Sequence, residues 1–122
     1  MESILTSVKK HLGIVEEYDH FDDQLIEHIN SAFMILHQLG VGPSEGFKIE
    51  DDSAIWSDFI SKDGPNIESV KTYIFLKVKL FFDPSDSSAV IEARNRMISE
   101  LEWRLNVAAD TEPAERGINI GI

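Results

Sequence analysis

The chain has 122 residues, of which 43% are hydrophobic and none is cysteine, and its formal net charge is −11. This length and apolar content predict one folded domain, and the lack of cysteine excludes disulfides, thiolate metal sites and thiol nucleophiles. No apolar run approaches the ~18–20 residues of a membrane span, and no signal-peptide pattern is present. The excess of acidic residues disfavours a phosphate-binding surface.

Two helices are predicted in the first half of the chain. Apolar residues at helical spacing predict a first helix over about 3–12, which Gly13 ends. A second helix should run from about His20 to Leu39, with Asp19 capping its N-terminal amides and Gly40 ending it in the left-handed conformation. The apolar stripe of this second helix consists of Phe21, Leu25, Ile29, Ala32, Leu36 and Leu39.

The helical pattern stops after the second helix. Gly42, Pro43 and Gly46 interrupt it, and Phe47 and Ile49 indicate a short extended segment near residues 46–50. A brief helix is predicted next. Its apolar residues are Ile55, Trp56, Phe59 and Ile60.

The segment 67–82 fits two patterns. Its apolar residues fall on a helical face, but from Ile74 onward they also alternate with polar residues as in a strand. We predict a helix because the run is about sixteen residues long, against ~5–6 for an ordinary strand. Whether all of 67–82 is helical stays open. Apolar residues would then surround most of this helix, which predicts a central position or one shared between subunits.

A last helix should begin in the region 85–88 and continue to about Asn106. Its outer side carries an i,i+4 ladder of alternating charge, Glu92, Arg96, Glu100 and Arg104. The apolar residues of 107–122 have no helical period, which predicts a flexible C-terminal tail. The fold expected is therefore all-α, a small bundle of four to five helices over residues 1–106.

Two features indicate protein interaction. Trp103 projects from the charged side of the last helix, and a large aromatic residue there favours a partner surface. The alternative is that another segment or the tail covers it. Ile118, Ile120 and Ile122 have a period of two and could add an edge strand to a neighbour, although such an end is commonly disordered when isolated.

The carboxylates around the second helix raise the question of a metal site. Asp19, Asp23 and Glu27 share one predicted helical face, as in helical pyrophosphohydrolases that hold magnesium. Such a site needs facing carboxylates on another helix, and the candidates there are salt-bridged or isolated by pattern. A solvated acidic face is the favoured interpretation. Because nucleophile and phosphate-loop motifs are also absent, we predict no catalytic, cofactor-binding or metal-binding residues, and no enzyme activity.

Four stretches resemble the head–tail connector proteins of tailed phages and prophages. They are His20 to Ser31 continuing to Gln38–Gly42, Trp56 to Phe59, Val70 to Lys77 running on to Phe82-Asp83-Pro84, and Glu100 to Asn106. Together they cover roughly residues 3–106 in order. The family often has a second proline after Pro84, where this chain has Ser85, and the tail lies outside the match.

The resemblance implies a structural virion protein that forms a ring of about a dozen subunits. The ring would dock beneath the portal protein, extend the DNA channel and contact the adjacent head-completion or tail protein in the neck. DNA would pass without specific binding, and Asp19, Asp23 and Glu27 are candidates for a channel-facing acidic surface. Before assembly the subunit would reside in the host cytoplasm.

Two other functions remain as alternatives. A small magnesium-dependent nucleotide pyrophosphohydrolase should release pyrophosphate when magnesium is titrated, and charge reversal at Asp23 and Glu27 should abolish that activity. An acidic interaction protein that mimics DNA should be monomeric with charge over its whole face. Here the acid is concentrated between Glu16 and Asp58, where Lys48 is the one cation.

Overall fold

The computed structural model describes residues 2–60, 65–82 and 87–110. Within these ranges the chain forms five helices and no strand, apart from a single antiparallel bridge between Ser3 and Ile55. The helices are α1 (Ile4–Leu12), α2 (Asp22–Gln38), α3 (Trp56–Phe59), α4 (Pro65–Phe82) and α5 (Ser88–Asp110). The predicted all-α bundle is confirmed.

Helix α4 is the centre of the bundle. It contacts α1, α2 and α5, and its buried side chains lie on one side of the helix, with partly buried apolar residues around the rest. The fully buried ones are Val70, Tyr73, Ile74 and Val78. The ambiguous segment 67–82 is therefore helical throughout, and its apolar residues surround the axis because neighbours cover it on several sides.

Glycine ends α1 and α2 as predicted. Gly13 and Gly40 have φ angles of 80° and 86°, in the left-handed region that side chains with a Cβ avoid. At the end of α2, the Gly40 amide donates to the His37 carbonyl at 3.0 Å and the Val41 amide donates to the Leu36 carbonyl at 2.9 Å. This is a Schellman motif, which satisfies carbonyls that the helix leaves free.

The start of α2 differs from the prediction. The helix begins at Asp22, and Phe21 precedes it without a side-chain cap, so Asp19 neither caps α2 nor lies in it. Asp19 belongs to a preceding turn, in which its carbonyl accepts a hydrogen bond from the Asp22 amide at 3.2 Å. The N-terminus of α2 carries Asp22 and Asp23 in its first turn, where negative charge is favourable.

The segment between α2 and α3 is held by a side chain of α2. Residues 46–50, near which a short extended segment was predicted, form neither helix nor strand. Asn30 bonds both backbone groups of the buried Ile49: its Oδ1 accepts from the Ile49 amide at 2.8 Å and its Nδ2 donates to the Ile49 carbonyl at 2.9 Å. One amide side chain thus replaces the strand partner that this segment lacks.

Helix α3 closes one side of the core. The Trp56 indole is buried and donates to Ser7 Oγ at 3.0 Å, which links α3 to α1. Phe59 packs against the rings of Phe33 and Phe47, with ring centroids 4.7 and 5.3 Å away. Gly42 lies so close to the Phe59 ring that a Cβ added there would be 2.4 Å from Cε1.

Helix α5 is longer than predicted. It ends at Asp110, four residues beyond the predicted end at Asn106. Two physical reasons account for the difference: alanine favours helix at 108 and 109, and Ala109 packs against the core. Asn106 also fastens this end to α2, because its Nδ2 donates to the Leu39 carbonyl at 3.1 Å.

Candidate interaction surfaces

The outer side of α5 is open to solvent along its length. The helix uses its other side, including Ile98 and Leu105, to pack into the core. Trp103 lies on the outer side with 66% of its surface exposed, and Val107, one turn later, is 38% exposed. The exposure of Trp103 agrees with the sequence pattern, and no segment within the described ranges covers it. Its role as a contact remains a prediction.

A hydrogen bond fixes the opposite side of α5 against α4. The Tyr73 hydroxyl donates to Glu102 Oε2 at 2.8 Å, and the Tyr73 ring is fully buried. Burial raises the pKa of the Tyr73 phenol far above its ordinary value, and the bond to the Glu102 carboxylate adds to that shift. Tyr73 thus stays neutral and keeps its donor. Since this side of α5 is fixed, the exposed position of Trp103 is fixed as well.

The charged ladder on α5 is exposed. Arg104 Nη2 lies 2.6 Å from Glu100 Oε2, and both side chains are more than half exposed. An exposed i,i+4 pair contributes only a few tenths of a kcal/mol. The pair is therefore free to exchange partners when another charged surface approaches.

The predicted acidic residues are all exposed, but only two of the three lie in α2. Asp23 and Glu27 are exposed one turn apart on α2, and Asp19 is exposed in the turn before that helix. Asp22 is different, because its Oδ1 lies 2.9 Å from Nζ of the buried Lys9. Lys9 Nζ also donates to the Glu16 carbonyl at 2.8 Å. A buried cation from α1 thus holds the segment that carries the acidic surface.

Sequence reasoning missed an aromatic cluster beside this acidic surface. Phe21 packs edge-on against Phe82 with ring centroids 5.0 Å apart, and His28 stacks on Phe81 at 5.4 Å. Tyr18 contacts the Phe21 ring at 5.7 Å. The sequence signal was the Phe81-Phe82 pair at the end of α4, but contacts between α2 and α4 cannot be derived from periodicity alone. Phe81 remains 58% exposed despite this packing.

A second histidine contact lies on the other side of α4. The His11 ring stacks on Phe75 with centroids 4.5 Å apart. Burial of the imidazole lowers the pKa of His11, and the nearby Lys79 ammonium lowers it further. His11 therefore tends toward the neutral form in the folded chain.

The described part of the chain contains no group of three or more histidines and carboxylates close enough to hold a metal ion. In particular, the side chains of Asp23 and Glu27 are not joined by a third acidic group from a facing helix in these ranges. No helix within the described ranges is long and apolar enough to cross a bilayer. The predicted contact residues Ile118, Ile120 and Ile122 lie outside the described residues.

These features define a small all-α protein whose helix α5 presents Trp103 and Val107 to solvent. A family model described as phage connector protein matches residues 4–112, which is most of the chain. The chain therefore belongs to the phage connector protein family and has a structural connector role in the phage, which confirms the resemblance. Neither the curated proteins nor the solved structures include a significant match.

Proposed function

We propose that this chain is a subunit of an oligomeric ring of about a dozen copies in the phage neck, between the portal protein and the tail. The observation that carries the proposal is the exposed apolar surface of α5, where Trp103 and Val107 are 66% and 38% exposed. Membership of the connector family supports the same conclusion. Exposed tryptophan is favoured where proteins bind one another, because its ring covers a large area with little loss of freedom.

The partners in this proposal are other copies of the chain, the portal protein and the adjacent head-completion or tail protein. The subunit resides in the host cytoplasm until it joins the virion. In this proposal, Ile118, Ile120 and Ile122 contribute to the contact with a neighbouring protein.

We also propose that Asp19, Asp23 and Glu27 face the DNA channel. All three are exposed, and the fold holds their segment through Lys9. Carboxylates make no counterion-releasing contacts with phosphate, so DNA slides past them without binding. An electron-microscopy reconstruction of the assembled neck tests this orientation. Carboxylates turned toward the outer surface of the neck contradict it.

The contact role of α5 is tested by complementation of a phage that lacks this gene. Trp103→Ala should yield DNA-filled heads without attached tails, because the neck contact is lost while the fold is kept. Met34→Ala is the matched control, since Met34 is 59% exposed on α2 and has no predicted role. Circular dichroism of both purified variants checks that each is folded. Normal tailed particles with Trp103→Ala contradict the proposal.

The ring itself is tested by electron microscopy of portal complexes incubated with the purified chain. Added density in a closed ring on the portal is the expected result. A portal that remains bare at saturating protein concentration contradicts a position next to the portal. The same grids give the number of subunits from the symmetry of the ring.

A further inference from the structure

Exposed residues on the outer side of α5 recur at a regular spacing, and none of them packs into the core. Six exposed residues, here called the outer seam, follow one another at alternating intervals of four and three. They are Ala89, Ala93, Arg96, Glu100, Trp103 and Val107. Such spacing places side chains along one line of a helix, as at the contact line of a coiled coil. The core side of α5, which includes Ile98 and Leu105, is a separate line.

The outer seam is complementary to its own reversal. If a second copy of the helix runs antiparallel to the first, with the two copies level at position 98, Ala89 of one copy faces Val107 of the other. In the same way Ala93 faces Trp103, and Arg96 faces Glu100. Each small side chain then meets a large one, and each cation meets an anion. Glu92 and Arg104 flank the seam on opposite sides of the helix, so the charges that face each other in the contact are those of Arg96 and Glu100.

We propose that two copies of this chain pair through their outer seams, with the α5 helices antiparallel about a two-fold axis near residue 98. A parallel pair is disfavoured, because it places Arg96 against Arg96 and Trp103 against Trp103. The antiparallel pair has the layer order of antiparallel coiled coils, in which the two seam positions of the heptad alternate across the contact. The occupant of this surface is thus a second α5.

The contact should be weak and reversible. From Ala89 to Val107 the seam is about 27 Å long and only one helix wide. We therefore expect it to bury less than the ~800 Å² per partner that a stable interface buries. The exposed Arg104–Glu100 pair within one chain can exchange for pairs between chains at little cost. Salt should weaken the contact, since its central pairs are ionic.

This pairing goes beyond the proposed neck ring and does not rest on it. A two-fold contact uses the same surface on both copies and closes at two, whereas a ring requires two different surfaces on each subunit. In the free protein the pair covers Trp103, which is then released when the subunits separate for assembly. Failure of the ring would be seen in neck particles, whereas failure of the pair would be seen in the free protein.

Charge variants of the full chain test the pair by sedimentation equilibrium at low salt. Arg96→Glu with Arg104→Glu makes the ladder wholly acidic, and Glu92→Arg with Glu100→Arg makes it wholly basic. Each variant alone should dimerise at least about tenfold more weakly than the unaltered chain, because its central pairs become repulsive. An equal mixture of the two should form the heterodimer. Circular dichroism confirms that both variants are helical.

The matched control for the basic variant places the same charge change outside the seam. Glu45→Arg with Glu50→Arg alters two exposed residues between α2 and α3 and should leave dimerisation unchanged. An unaltered chain that stays monomeric up to millimolar concentration overturns the proposal. So does dimerisation of the acidic or basic variant at the unaltered level, since the contact would then lie elsewhere.

Disulfide trapping tests the direction and register of the helices. The chain has no cysteine, so introduced thiols report only the designed pair. An oxidised mixture of the Arg96→Cys and Glu100→Cys proteins should form the mixed disulfide, because these positions face each other. Arg96→Cys alone should not crosslink, because its two copies are one helical turn apart and a disulfide tolerates only about 7 Å between Cα atoms. Efficient crosslinking of Arg96→Cys alone overturns the antiparallel arrangement.

Discussion

The two hydrogen bonds between Asn30 of α2 and the backbone of Ile49 allow the effect of a substitution on stability to be worked out from the structure. Asn30→Ala removes two hydrogen bonds, of 2.8 and 2.9 Å, and leaves both backbone groups of Ile49 without their partner. Ile49 is only 2% exposed, so water replaces the lost partner poorly. Each unsatisfied buried group costs about 1–3 kcal/mol, and because the site is partly buried we expect a total loss of about 2–4 kcal/mol in the free energy of unfolding.

Urea denaturation followed by circular dichroism measures this loss, which corresponds to a fall in melting temperature of about 8–16 °C for a chain of this size. Asn30→Asp keeps one acceptor but loses the donor, and its charge faces the Ile49 carbonyl. Ser31→Ala is the control, because Ser31 is an exposed neighbour on the same helix and should change stability by less than about 0.5 kcal/mol. Hydrogen exchange at the Ile49 amide should accelerate in Asn30→Ala. Unchanged exchange there, with stability equal to that of the control, refutes the reasoning.

Three further predictions concern other parts of the fold. Gly42→Ala should destabilise the protein by about 2–4 kcal/mol, because φ is 93° and the new Cβ would lie 2.4 Å from the Phe59 ring. Gly13→Ala has open space around its Cβ and should cost only about 1–2 kcal/mol of backbone strain. Thermal unfolding of the two variants measures the difference. Tyr73→Phe should lose about 1 kcal/mol in urea denaturation, since it removes one hydrogen bond to α5 and keeps the ring; an unchanged midpoint contradicts that bond. The pKa of His11 is lower in the folded chain than its unfolded value of about 6.5, because burial of the imidazole and the Lys79 ammonium disfavour its charged form. Stability should therefore decrease as the pH falls below about 6.5, and His11→Gln should flatten this slope; equal slopes refute the assignment.

The proposals for function place different demands on one helix. In the neck, Trp103 would bind a neighbouring subunit or protein, whereas in the free dimer it would lie between two α5 helices. Both uses are compatible because the dimer contact is short and ionic at its centre. The fold supports this by fixing α5 on its inner side through Tyr73 and through the bond from Asn106 to Leu39. The outer side is therefore presented rigidly and does not need to fold on binding.

The acidic surface illustrates how one buried side chain organises many exposed ones. Sequence placed Asp19, Asp23 and Glu27 on one helical face, but α2 begins only at Asp22. What holds the region is Lys9, which pairs with Asp22 and bonds the Glu16 carbonyl from within the protein. Removal of one partner from a buried ion pair leaves an uncompensated charge, which disfavours any arrangement that separates Lys9 from Asp22.

The sequence alone determined the features that arise within a few turns of chain. Apolar spacing predicted the helices, the length of the segment 67–82 decided for helix over strand, and Gly13 and Gly40 ended α1 and α2 as expected. The exposed side of α5, with Trp103 opposite its core residues, also followed from 100° per residue. These predictions succeeded because helical periodicity and left-handed glycine caps depend on local backbone geometry.

Only the tertiary structure decided the contacts between residues far apart in the chain. The bonds of Asn30 with Ile49 and of Trp56 with Ser7, and the ion pair of Lys9, have no local signal. Beyond the helix propensity of the alanines at 108 and 109, the four additional residues of α5 also depend on packing of Ala109 against the core. The physical reason is that such contacts are selected by how complete helices pack together, so a polar side chain reveals its partner only when the fold has brought the two together.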